Sequence, residues 1–193
     1  MVPKPVTANA VMGNLNRLFL VVCFGMGAAT AVIVGKAIGE GKSKDEVMSL
    51  SQTLLWFAVL VGGAVGLVAL ALVPTLFVPV IFPMCNLFGQ SAAIATALAV
   101  AGFVTIPLHA YAISAVTGVL RAGGDVAFST ALDLGPQWLL CLPVTALCAL
   151  VLKTGAWPIA FAIQLECIVK SPLCAWRIGG GKWIHDVTRG REV

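Results

Sequence analysis

The chain has 193 residues, of which 60% are hydrophobic and only 10% charged, with a mean hydropathy of +1.01. A water-exposed domain carries about 25% charged residues, so this composition excludes an ordinary soluble enzyme, a disordered chain and a nucleic-acid-binding domain, the net charge of +4 notwithstanding. A polytopic, all-α membrane protein remains, with the lipid bilayer as its first partner.

The first expected span covers residues 18–38, with Asn14, Asn16 and Arg17 at its entrance. Small residues mark close helix contacts in lipid, and Ala31, Gly35 and Gly39 recur four apart. No Asp, Glu, Lys or Arg occurs between Glu46 and Arg121. At about 20 residues per crossing, that interval holds two spans and a connector. We read the spans as residues 53–73 and 92–120. Pro74, Pro79, Pro83, Asn86 and Gly89 mark the connector, and Ser91 is the expected N-cap. Gly62 and Gly66 repeat the four-residue spacing, and Pro107 lies inside the third span. The fourth span is residues 126–151, with Pro136 and Pro143, and the fifth is residues 157–176, with Pro158 and Pro172. Strict alternation is absent, so β-barrel strands are excluded and backbone polar groups must be satisfied within helices.

Five crossings put Lys42, Lys44, Arg121, Arg177, Lys182, Arg189 and Arg191 on one side, with a basic tail over residues 177–193. By the positive-inside bias that side is cytoplasmic, in a multi-pass protein of the cell membrane. The N-terminus is then external. With no cleavable signal, this suggests a chain that lacks a helix in front. Trp56, Trp157, Trp176 and Trp183 fall near span edges, as aromatic belts do, while Trp138 lies deeper. The six cysteines lack zinc-knuckle spacing, and five of them lie in apolar runs where a thiol packs as a small hydrophobe.

Ionisable residues inside a span cost about 2.5–3.5 kcal/mol each and need partners. Asp133 lies about two turns into the fourth span, with Gln137 one turn later. Glu166 and Lys170 are four apart in the fifth, in the favourable Glu-before-Lys order. Asp133 and Lys170 sit at similar depth, which allows an ion pair or a network of Asp133, Glu166 and Lys170. Two readings stand: a static lock between spans, or a carboxylate that binds Na+ or H+ and couples it to conformational change. Exchanging Asp133 and Lys170 would separate them. His109 and Tyr111 follow Pro107 and, with Gln137, are candidates for lining a cleft. Enzyme signatures are absent: there is no nucleophile elbow, phosphate loop, zinc-protease helix or catalytic carboxylate pair.

Four stretches together resemble the multidrug and toxic compound extrusion (MATE) transporters. GMGAATAVIVGKAIGEG (residues 25–41) resembles the second helix of a lobe with its glycine-rich cytoplasmic turn. GVLRAGGD (residues 118–125) resembles a fourth-helix exit, and DLGPQWLLCLP (residues 133–143) the helix that follows. Glu166, Lys170, Arg177 and GKWIHDVT (residues 181–188) resemble the last helix and tail of prokaryotic members. The likeness runs from about residue 9 to residue 190. It implies five helices equivalent to helices eight to twelve of a twelve-helix transporter. The N-terminal lobe and the first helix of the C-terminal lobe would then be missing partners. It further implies efflux of small organic compounds driven by Na+ or H+, with no other cofactor, by a lobe that is not competent alone. Some members carry ion-binding carboxylates on helices outside the likeness. Asp125, Asp133, Glu166 and Lys170 are therefore the matched candidates for coupling or gating. A lipid or polysaccharide flippase of related layout, and a non-transporting membrane subunit or inert fragment, are the alternatives.

Overall fold

The computed structural model describes residues 4–84, 89–147, 164–181 and 183–184, and every regular element among them is helical. Helix α1 is Lys4–Gly39. A turn with Gly41 at φ 74° leads to α2, Lys44–Leu72, which runs on without a break through a π-helical stretch, Val73–Ile81, to Met84. Helix α3 is Gln90–Val104, and α4 is Ile106–Ile113, extended by a π-helical stretch, Ser114–Leu120. Helix α5 is Val126–Pro136, continued by Gln137–Cys141 and Leu142–Ala146. Helix α6 is Leu165–Gly179.

Met12–Gly39 and Lys44–Met84 are each long and apolar enough to cross a membrane. The pair Ala92–Val104 and Ile106–Leu120, bent by 47°, makes a third if it is one span. Among the described residues, two or three helices thus have the length and hydropathy of a span, which supports the expectation of five spans only in that part. The fourth and fifth are helical in their described parts, but α5 is diluted by Asp133, Gln137 and two prolines, and only 15 residues of α6 are described. Cys85, Cys148, Lys153, Trp157, Pro158, Lys182 and everything from His185 onward lie outside the described residues.

The connector expected from residue 74 is helical as far as Met84. Prolines lack the N–H of an α-helical ladder, but the wider π pattern re-pairs the carbonyls. The Phe82 N–H bonds the Phe77 carbonyl, five residues back. The same five-residue step recurs where the Leu142 N–H meets the Gln137 carbonyl after Pro136. Helix α3 begins at Gln90 behind Gly89, whose φ of 57° favours glycine, so Gly89 and not Ser91 is the N-cap.

Helix α2 starts with a complete capping box. The Ser43 hydroxyl accepts from the Glu46 N–H at 3.3 Å, and the Glu46 carboxylate accepts from the Ser43 N–H at 3.0 Å. Replacing Ser43 with alanine should cost about 1 kcal/mol and speed amide exchange at residues 44–47, read by hydrogen exchange.

Two cores stack along the bundle. One holds Met12, Cys23, Val73, Phe77, Phe82, Phe103 and Ile106, with Phe19, Phe77 and Phe103 in mutual ring contact at 5.2–6.5 Å. The other, beside the turns at 40–43 and 121–125, holds Val34, Val47, Leu55, Val116, Val119, Leu120, Leu132, Ile178 and Trp183. The buried face of α1 is Cys23, Gly27, Thr30, Val34 and Ala37, not the Ala31, Gly35, Gly39 stripe. Gly27 faces Thr117 and Ile113, and Gly118 faces Thr30, so each helix seats a glycine against the other.

The α3–α4 bend follows from Pro107, which leaves the Phe103 carbonyl without its usual partner. The Thr105 hydroxyl donates back to the Ala101 and Gly102 carbonyls at 3.0 and 2.9 Å. The Phe103 carbonyl accepts from the Thr105 N–H instead, and Gly66 of α2 fits against it, where a methyl group would come within 2.9 Å.

Candidate functional site

Lys170, on α6, is the centre of the charged site. Its ammonium donates to Glu166 Oε1 at 2.7 Å, one turn earlier, and to Asp133 Oδ1 on α5 at 3.0 Å. The three residues expected to form a network do so. A fourth joins them: Arg121 Nη2 donates to Asp133 Oδ2, while Arg121 Nε donates to the Ser129 hydroxyl at 3.3 Å. Each Asp133 oxygen thus receives a cationic donor. Two cations and two carboxylates leave the cluster neutral, which reduces the cost of placing it among apolar helices. The Lys170 side chain is 11% exposed, those of Asp133 and Glu166 about one-third, and that of Arg121 42%.

Arg121 was read from the sequence only as a loop cation. The signal for it was present: Ser129 and Asp133 are four apart on the first turns of α5, on the face that looks back to the turn carrying Arg121.

The cluster walls a cavity of about 400 Å³ between α1, α4, α5 and α6. Leu20, Phe24, Ile113 and Val116 give it an apolar side; His109, Thr117, Arg121, Asp133, Glu166 and Lys170 give it a polar one. His109 therefore lines a cleft with the charged cluster, its Nδ1 3.2 Å from the Thr105 carbonyl. Tyr111 does not share that cleft. It lines a second cavity of about 410 Å³ with Gln52, Leu55, Trp56, Val59 and Ile178. Gln137 is exposed and lines neither, because α5 turns it away from the bundle.

Asp125 stands apart from the cluster. It is buried at the start of α5 and accepts from Arg177 Nε at 2.7 Å, with the Arg177 guanidinium 4.7 Å from the Phe128 ring centre. Arg177 belongs to the last turn of α6 and not to a free tail. Trp56, Trp138 and Trp176 are largely exposed, but Trp183 is fully buried, and its indole N–H donates to the Ile178 carbonyl at 3.1 Å. It is a core residue and not part of an aromatic belt. Among the described residues, no three His, Cys, Asp or Glu side chains converge as a metal site.

Fold and site together define a bundle that is helical throughout its described residues, with membrane-length apolar helices and a neutral charge cluster on an open cavity between them. No protein-family model matches the chain, and neither a curated protein nor a solved structure matches it.

Proposed function

We propose that this bundle serves as a lobe of a secondary active efflux transporter of the MATE type, exchanging a small organic compound for Na+ or H+. The observation that supports this best is Lys170 shared between Asp133 and Glu166, with Arg121 on Asp133, all on the wall of one cavity. A carboxylate held by a lysine exchanges partners at low electrostatic cost. When Glu166 takes up a proton or a sodium ion, Lys170 is released toward Asp133, and the contact between α5 and α6 tightens. Ion entry is thereby converted into a change at a helix interface. In this reading the described helices belong to a five-span unit, with the turns at 40–43 and 121–125 in the cytoplasm. The apolar and polar walls of the cavity suit an amphipathic compound.

The test is substrate accumulation in sealed vesicles from cells expressing the complete protein, with Na+ and H+ gradients imposed separately. One gradient should drive accumulation of a fluorescent organic cation, and E166Q should lower the initial rate at least tenfold. Accumulation that neither gradient drives, or that E166Q leaves unchanged, would overturn the proposal.

A further inference from the structure

The second cavity, of about 410 Å³, differs from the charged one in that no Asp, Glu, Lys, Arg or His lines it. It lies where α2 and α6 both pack on α4 and leave a gap between them. Trp56 lines this gap and is also 71% exposed, so the cavity opens toward the surroundings of α2. Three side chains on its wall can donate a hydrogen bond: the Gln52 amide, the Trp56 indole N–H and the Tyr111 hydroxyl. Among the described residues, none of the three has a hydrogen-bond partner. Their depth follows from the sequence of α2. Lys44, Asp45 and Glu46 open the helix, Ser49, Gln52 and Thr53 follow, and from Leu54 onward it is apolar to its end. Gln52 and Trp56 therefore straddle the polar-to-apolar boundary of a helix long enough to cross a membrane. In a bilayer that boundary is the level of the headgroups and ester groups.

We propose that this cavity binds one glycerolipid of the membrane through its ester groups. The ester carbonyls accept hydrogen bonds from Gln52, Trp56 and Tyr111, and the first part of one acyl chain lies against Leu55 and Val59. An ester has acceptors and no donor, which suits a wall whose indole can only donate, whereas a charged headgroup meets no counter-ion there. The inference rests on α2 crossing the bilayer and not on the transport reading.

The purified full chain, stripped of lipid in detergent, is titrated with dioleoylphosphatidylcholine or with its diether analogue, which keeps the headgroup and chains but replaces each ester by an ether. Bound lipid is counted by native mass spectrometry. One diester molecule should bind at least about threefold more tightly than the diether, as one net hydrogen bond gives. Y111F/Q52L keeps the ring and nearly all the volume, and should abolish that preference. Nothing lies within 4 Å of a Cβ at Gly179, so a leucine there grows into the cavity without a clash, and G179L should weaken diester binding at least about tenfold. A smaller preference in the unaltered chain, as any apolar surface would give, overturns the proposal. So does a preference that survives Y111F/Q52L, or a smaller loss in G179L. Should G179L lack a cooperative thermal transition, the first two comparisons decide.

Discussion

Substituting Gly62 with valine is expected to destabilise the bundle by about 3 kcal/mol, as overpacking does when no flexible neighbour yields. A Cβ at Gly62 would sit 2.6 Å from the Ala110 Cβ and 3.1 Å from the Pro107 Cα, both held close to the backbone. Even alanine forces α2 away from α4 and should cost about 1–2 kcal/mol. The contrast with Gly63 makes the prediction sharp. Nothing lies within 4 Å of a Cβ there, so Gly63→Ala gains helix propensity, worth up to about 1 kcal/mol, without a clash. Unfolding titrations in mixed micelles compare the three variants. Equal midpoints for G62V and G63A would mean that α2 and α4 do not meet at Gly62.

How far such contacts are legible in sequence is plain from the two glycine stripes. Gly62 and Gly66 were recognisable by their spacing, and both face the α3–α4 bend. Ala31, Gly35 and Gly39 have the same spacing, yet Gly35 and Gly39 meet nothing within 4 Å. The reason is physical. In a soluble helix the polar face identifies the buried one by exclusion, but α1 is apolar all round and its sequence does not distinguish lipid from protein. Prolines misled differently. A proline removes one donor, but it does not dictate whether the chain breaks, as at Thr105, or widens into a π stretch, as at Val73–Ile81.

The charged site was more legible than the packing, for an energetic reason. Asp133, Glu166 and Lys170 lie in apolar surroundings where unpartnered charge is costly, so helical spacing and depth were enough to group them. Arg121 escaped because a cation at the end of a span is ordinarily solvated. Trp183 escaped because an indole at a span edge ordinarily faces the interface. Both belong to the 121–125 region, where the tertiary fold overrides those tendencies.

Replacing Lys170 with methionine should be the costliest change within the charged cluster. Asp133 would keep Arg121, but Glu166 would lose the donor on its Oε1, and the neutral site would become anionic. Removing one member of a fully buried pair costs about 3–5 kcal/mol; with both carboxylates about one-third exposed, solvent screening brings the expectation to about 2 kcal/mol. The double variant K170M/E166Q is neutral again and should recover most of that loss in the same unfolding titration. No recovery would mean that the apolar stem of Lys170 matters more than its charge. Exchange of Asp133 and Lys170, attractive when only those residues are considered, does not test the pair in this geometry. It sets a lysine at 133 against Arg121 and an aspartate at 170 one turn from Glu166, so both new contacts repel. E166Q alone separates a lock from a coupling site where the exchange does not. It leaves the Asp133–Lys170 bond between α5 and α6 in place, so a lock survives and transport persists. A coupling site that binds its ion at Glu166 instead loses gradient-driven accumulation while the protein keeps its fold.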